Sequence, residues 1–151
     1  MISLEGLKDL SFKNANRYYN LKFNHLRIMQ IKGESGVGKS LFCSDLSVKK
    51  SIDADFSNIL IFDYKNKDML PFIKDFSSYD YVVLDNADLY MTERLGRVIE
   101  KDLLAVDSKT HWIIIGRDYY PCVLSLGSVG VLVREEKDGN YYYSVDYSLV
   151  N

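Results

Sequence analysis

Little in this chain points to a scaffold held by covalent or metal cross-links. Its 151 residues include two cysteines, Cys43 and Cys122, and two histidines, His25 and His111. That is too few for the bridge framework of small secreted domains, and no Cys/His spacing fits a metal site. Prolines also number two, which excludes a proline-rich linker or recognition tract. No apolar run approaches membrane-spanning length, and the N-terminus carries no signal-peptide pattern. The expected setting is a reducing cytoplasm with no membrane partner. Neither sign of charge dominates, since 19 Lys and Arg face 21 Asp and Glu for a net −2. That balance supplies no global basic field, so nucleic acid is not indicated as a partner.

What is present suits a globular protein. Hydrophobic residues make up 47% and charged residues 26%, and the length fits one domain over 1–151. Residues 1–24 read as a β-rich lead-in, 25–118 as the core, and 129–147 as a terminal hairpin. In the lead-in, Leu10 and Phe12 precede a polar turn at Lys13–Arg17, after which Tyr19, Leu21 and Phe23 alternate with polar neighbours. In the terminal segment, Asp138-Gly139 supplies turn residues between two β-prone arms.

The most informative stretch is Gly33-Glu34-Ser35-Gly36-Val37-Gly38-Lys39-Ser40, which fits G-x-x-x-x-G-K-[ST] at every fixed position. Glycines let a backbone turn tightly and bring its N–H groups against phosphate oxygens. Lys39 is placed to put a cation between the β- and γ-phosphates. The Ser40 hydroxyl is a compact oxygen ligand for Mg²⁺. Leu26–Ile31 reads as a strand entering this loop, and Leu41, Phe42, Cys43 and Leu46 begin an apolar helix face after it. The helix N-terminus aims its positive dipole end at the same anions. Residues 33–41 are therefore the expected nucleotide contacts.

Three later runs read as strands buried on both faces. Asn58–Phe62 ends at Asp63, Tyr79–Leu84 ends at Asp85, and His111–Gly116 ends at Arg117. A carboxylate leaving a strand beside a phosphate-binding loop can hold Mg²⁺, and Asp85 is the candidate. Helix capping is its competing role. Arg117 sits where a γ-phosphate can be sensed, with a salt bridge to Asp118 or a loop acid as the alternative. Between the last two runs, Thr92–Val106 has helical periodicity, with Leu95, Val98, Ile99, Leu103 and Val106 on one face.

The loop at 33–40, the strand ending at Asp85 and the strand ending near Arg117 together resemble the P-loop NTPase superfamily over roughly residues 24–118. The resemblance implies an α/β fold, a parallel sheet flanked by helices, with N- and C-terminal β-hairpin additions. It also implies ATP as ligand or substrate and Mg²⁺ as cofactor. The wording of 34–40 is similar to ABC-type ATPases, in which an aromatic residue before the loop stacks on adenine. Tyr18 or Tyr19 fits that place, with cross-strand packing as the competing role. No LSGGQ-like signature precedes Asp85. The run ending at Arg117 instead resembles the sensor strand of STAND ATPases. Where that branch commonly has a catalytic Glu after the Asp, this chain has Asn86, and an amide is a poor general base.

These features predict an ATP-binding protein with slow Mg²⁺-dependent hydrolysis, coupled to an unidentified protein partner or to a homo-oligomer. Lys39, Asp85, Asn86 and Arg117 are its catalytic candidates, and Ser40 and Asp85 its metal ligands. Two alternatives stand beside this reading. One is a small nucleoside or metabolite kinase that uses Asp63, and the other a non-hydrolysing, nucleotide-regulated interaction protein.

Overall fold

A computed structural model of the chain describes residues 9–23, 27–32, 38–73, 75–117 and 128–148. The apolar runs become short strands whose alternate residues enter two separate cores. In β4 (Ile59–Phe62), β5 (Tyr81–Leu84) and β6 (His111–Gly116), neighbouring side chains point to opposite faces. Val83, Ile113 and Ile115 join one cluster, while Val82, Leu84, Trp112 and Ile114 join the other. The strand that leads into the phosphate-binding motif is β3 (Ile28–Lys32).

One helix covers each face. α1 (Lys39–Ile52) presses Phe42, Cys43 and Leu46 onto the first core. Fully burying a side chain such as Phe42 or Leu46 is worth ~1.5–3 kcal/mol. α2 (Glu93–Leu104) buries Gly96, Ile99 and Leu103 on the second. Its start is written in the sequence, because the Thr92 side chain accepts the Leu95 N–H at 3.1 Å and Glu93 pairs with Arg97 one turn on. The helix stops two residues short of Val106, which is fully exposed rather than on the packed face. Val98 is likewise 39% exposed.

The sheet has eight strands in the order β1-β2-β8-β7-β3-β6-β5-β4. Its other members are β1 (Asp9–Asn14), β2 (Arg17–Lys22), β7 (Ser128–Lys137) and β8 (Asn140–Asp146). Strands β4, β5, β6, β3 and β7 are mutually parallel. Beyond β7 the direction reverses, with β7–β8 and β1–β2 antiparallel and β2–β8 parallel. The protein is thus a mixed α/β fold. The parallel sheet expected from the sequence holds for part of it, and the two hairpins extend that same sheet instead of decorating it from outside.

Turn chemistry explains the reversals. Asp138 and Gly139 have φ of 54° and 80°, the left-handed pair that a two-residue hairpin turn needs. The first hairpin turns at Ala15 (φ 53°) and Asn16. The Asn16 side-chain amide donates to Gly139 O at 2.9 Å and the Asn16 backbone carbonyl accepts from Tyr141 N at 2.8 Å, which locks the two hairpin tips together.

Candidate functional site

Strands β3, β4, β5 and β6 all run the same way, so the residues that follow them emerge at one edge. That edge gathers Lys39, Asp63, Asp85 and Arg117. Residues 33–37 lie outside the described residues, and so do the expected contacts at Gly33, Glu34, Ser35, Gly36 and Val37.

The motif is described from Gly38 onward. Gly38 has φ of 95°, and a Cβ there would stand 3.0 Å from the Tyr143 ring. The left-handed φ favours glycine, and the nearby ring adds to the crowding any side chain would meet. Its carbonyl accepts the Phe42 N–H at 2.9 Å, which opens α1 without a side-chain cap. The first-turn N–H groups are then available to an anion. Ser40 and Leu41 are exposed on that turn.

The Lys39 ammonium donates to Gly116 O, the last residue of β6, at 3.1 Å. Burial lowers its pKa, Asp88 and Asp85 act the other way, and Arg117 adds to the lowering. This places Lys39 within electrostatic reach of all three groups. Arg117 itself is exposed.

Asp85 is half-buried immediately after β5. Its N–H donates to Phe62 O at 2.8 Å, and its carbonyl accepts the Tyr90 hydroxyl at 2.7 Å. Burial raises the carboxyl pKa above its ordinary value, opposed by the Asn86 N–H, the Cys43 thiol and Lys39, while Asp63 adds to the rise. The plainer role considered for Asp85, a helix cap, is not what the backbone shows. The 3₁₀ turn at Ala87–Leu89 starts from Asn86 with no side-chain cap. Asn86 is exposed and left-handed at φ 50°.

Tyr19 needs correction. Its ring is stacked between Phe12 and Tyr143 at 4.7 Å each, it is 2% exposed, and its hydroxyl donates to Asp45. With both faces covered it offers no surface to a base. Tyr18 stacks on Tyr142 at 5.0 Å, with Lys13 over its ring. Cross-strand packing accounts for both residues.

Sequence reasoning missed two features of this edge. Cys43 is buried as expected of a small apolar residue, but its thiol also lies close enough to Asp85 to favour the charged carboxylate. The only available signal was its position one helical turn after Lys39. Asp63 carries a subtler lesson. Its carboxylate accepts the N–H groups of Lys65 at 2.8 Å and Asn66 at 3.2 Å, so it is engaged in its own turn.

The donor set suits Mg²⁺ in kind. Ser40 and Asp85 are both hard oxygen donors, and Mg²⁺ takes one or two protein ligands with phosphate and water completing the octahedron. Among the described residues, no group of three or more His, Cys, Asp or Glu converges on a metal position. Nor is any helix among them long and apolar enough to cross a membrane.

No protein-family model matches the chain, and no curated protein matches it. Among solved structures, one titled RNase-L Inhibitor is similar at a TM-score of 0.41 and 13% identity, over 92% of this chain. The chain spans 38% of that structure's length. A likeness this distant carries no argument about activity.

Proposed function

We propose that this chain is a P-loop nucleotide-binding protein that holds ATP with Mg²⁺ and hydrolyses it slowly, with turnover coupled to a protein partner or to self-association. The observation that carries the reading is the convergence of Lys39, Asp85 and Arg117 on one sheet edge, where left-handed Gly38 opens α1. On this reading the five parallel strands are the P-loop type of sheet, and the remaining three extend it. ATP, in preference to other nucleotides, follows from the sequence resemblance.

Each residue then has a role. Residues 33–38 would offer backbone N–H groups to the phosphates. Lys39 would exchange the Gly116 carbonyl for β- and γ-phosphate oxygens. Ser40 would ligate Mg²⁺, and Asp85 would hold it largely through water. The bound ion neutralises phosphate charge. Arg117 would stabilise charge spreading over the transferred group. Asn86 orients water without taking its proton, so the chemical step is slow. Transfer to a small acceptor is the weaker reading, because the Asp63 carboxylate is oriented by its own turn, with Oδ1 already accepting two backbone N–H groups.

Turnover of ATP with Mg²⁺ and no acceptor tests this. We expect a rate on the order of 10⁻⁴–10⁻² s⁻¹, the range of P-loop enzymes acting without an activating partner. Lys39→Ala should lower it at least ~10-fold. Turnover unchanged by Lys39→Ala, or no binding of Mg²⁺-ATP at millimolar concentration, would sink the reading.

A further inference from the structure

On the face opposite α1, the 3₁₀ turn Lys67–Phe72 stands off from α2 and leaves a cleft of about 280 Å³. Leu70, Ile73, Phe76, Leu95 and Val98 supply its apolar surface. The floor is fixed by the core beneath it. Phe76 is 5% exposed and packs on Trp112 with ring centroids 5.0 Å apart, and its carbonyl accepts the Thr110 hydroxyl. Tyr90 also lines it, held by its hydroxyl bond to Asp85 O. An apolar recess with a rigid floor does not collapse on itself, and emptying it of water favours an apolar occupant.

The charges at the rim are unequal. Lys67 pairs with Asp68 at 3.0 Å, and Glu93 pairs with Arg97 at 3.0 Å. Asp68 at the cleft and Glu93 beside Arg94 are thereby each already paired. Arg94 also lines the cleft, yet forms no ion pair among the described residues. Among the described residues, the Arg94 guanidinium therefore stands without an ion pair beside an apolar surface. A guanidinium is a planar fork matched to a carboxylate.

The geometry points to a binding site for a small amphipathic carboxylate, its aromatic or branched apolar body lying on Leu70, Phe76 and Leu95 and its anionic end on Arg94. The volume is just below the ~300–1,000 Å³ of pockets for drug-sized ligands, so the occupant is a fragment-sized metabolite. The proposal is independent of nucleotide binding, since none of its lining residues belongs to the phosphate-binding motif.

The test is a titration of the full chain with 3-phenylpropionate, followed by backbone amide NMR, beside its neutral amide and the cationic 3-phenylpropylamine. Shifts should centre on residues 67–76 and 94–98. The carboxylate should bind roughly 5-fold more tightly than the amide, in keeping with one partly exposed ion pair. Arg94→Gln should level the two ligands, and Val98→Trp should block both. Both substitutions are at exposed positions, and an unchanged amide spectrum elsewhere checks that each variant is folded. The proposal is overturned by equal affinity for carboxylate and amide, by preference for the amine, by a preference that survives Arg94→Gln, or by no shifts up to ~10 mM ligand.

Discussion

Asp45 is the carboxylate whose removal should cost this fold most. It lies on the buried stripe of α1 beside Phe42, Cys43 and Leu46, and is 2% exposed. Arg17 donates to both of its oxygens at 2.7 and 2.8 Å, and the Tyr19 hydroxyl and Asn14 amide donate as well. Burial opposes the charge, but the hydrogen bonds from Arg17, Tyr19 and Asn14 outweigh it and hold the carboxyl below its ordinary pKa. Asp45→Ala strands all three donors. Breaking a buried pair costs ~3–5 kcal/mol. Arg17 keeps 26% of its side chain exposed, so water recovers part of that loss and the lower figure applies. A cost of about 3 kcal/mol lowers Tm by about 6–12 °C in a domain of this size.

The pH dependence has a definite sign. Because the folded pKa is depressed, the stabilisation is fully present above the unfolded value of ~3.9 and is lost as pH falls through the folded pKa. Urea unfolding followed by circular dichroism should therefore show wild type and Asp45→Ala far apart at neutral pH and converging in acid. In a double-mutant cycle with Arg17→Ala, the double variant should lose less than the sum of the singles. A cost below about 1 kcal/mol, or simple additivity, would refute the coupling of α1 to the first hairpin.

Two further substitutions probe other parts of the account. Asp102 accepts from the Trp112 indole at 2.7 Å and from Ser108 at 2.8 Å, and lies 3.6 Å from Arg27. Asp102→Ala should cost ~2–3 kcal/mol by leaving the buried indole N–H unpaired, measured as a lower urea midpoint in tryptophan fluorescence. Gly139→Ala meets open space but keeps φ at 80°, so its cost should be the backbone strain alone, ~1–2 kcal/mol by thermal unfolding, with nucleotide affinity unchanged.

The parts of the fold readable in the sequence are those where burial or turn chemistry writes a local pattern. Strands β4, β5 and β6 are covered on both faces, so each is a continuous apolar run. The Asp138-Gly139 turn marks its hairpin by residue type alone. Strand order is different, because it depends on long-range pairing. Nothing local places Gln30 beside Val129, or Tyr18 beside Tyr142. The same limit explains Tyr19, since an aromatic in a ladder and an aromatic under a base look alike until the neighbours are known. Asp45 was hidden for the converse reason. A charge on an apolar stripe reads as an interruption until Arg17 from another element arrives beside it. At the candidate site, motif spacing named Lys39 and Asp85, and parallel strand direction brings them to one edge. The Cys43 contact and the cleft beside α2 depend on packing, and no spacing encodes them.

Thermal unfolding across ATP, ADP, GTP and GDP, each with Mg²⁺, tests the central reading most directly, with Asp85→Ala run in parallel. A ligand present at ~100 times its Kd stabilises the folded state by ~2.7 kcal/mol, which at this size raises Tm by roughly 5–10 °C. The account predicts such a shift for the adenine nucleotides in wild type, with the Mg²⁺-dependent part lost in Asp85→Ala. No shift with any nucleotide, or a shift that Asp85→Ala leaves intact, would contradict it.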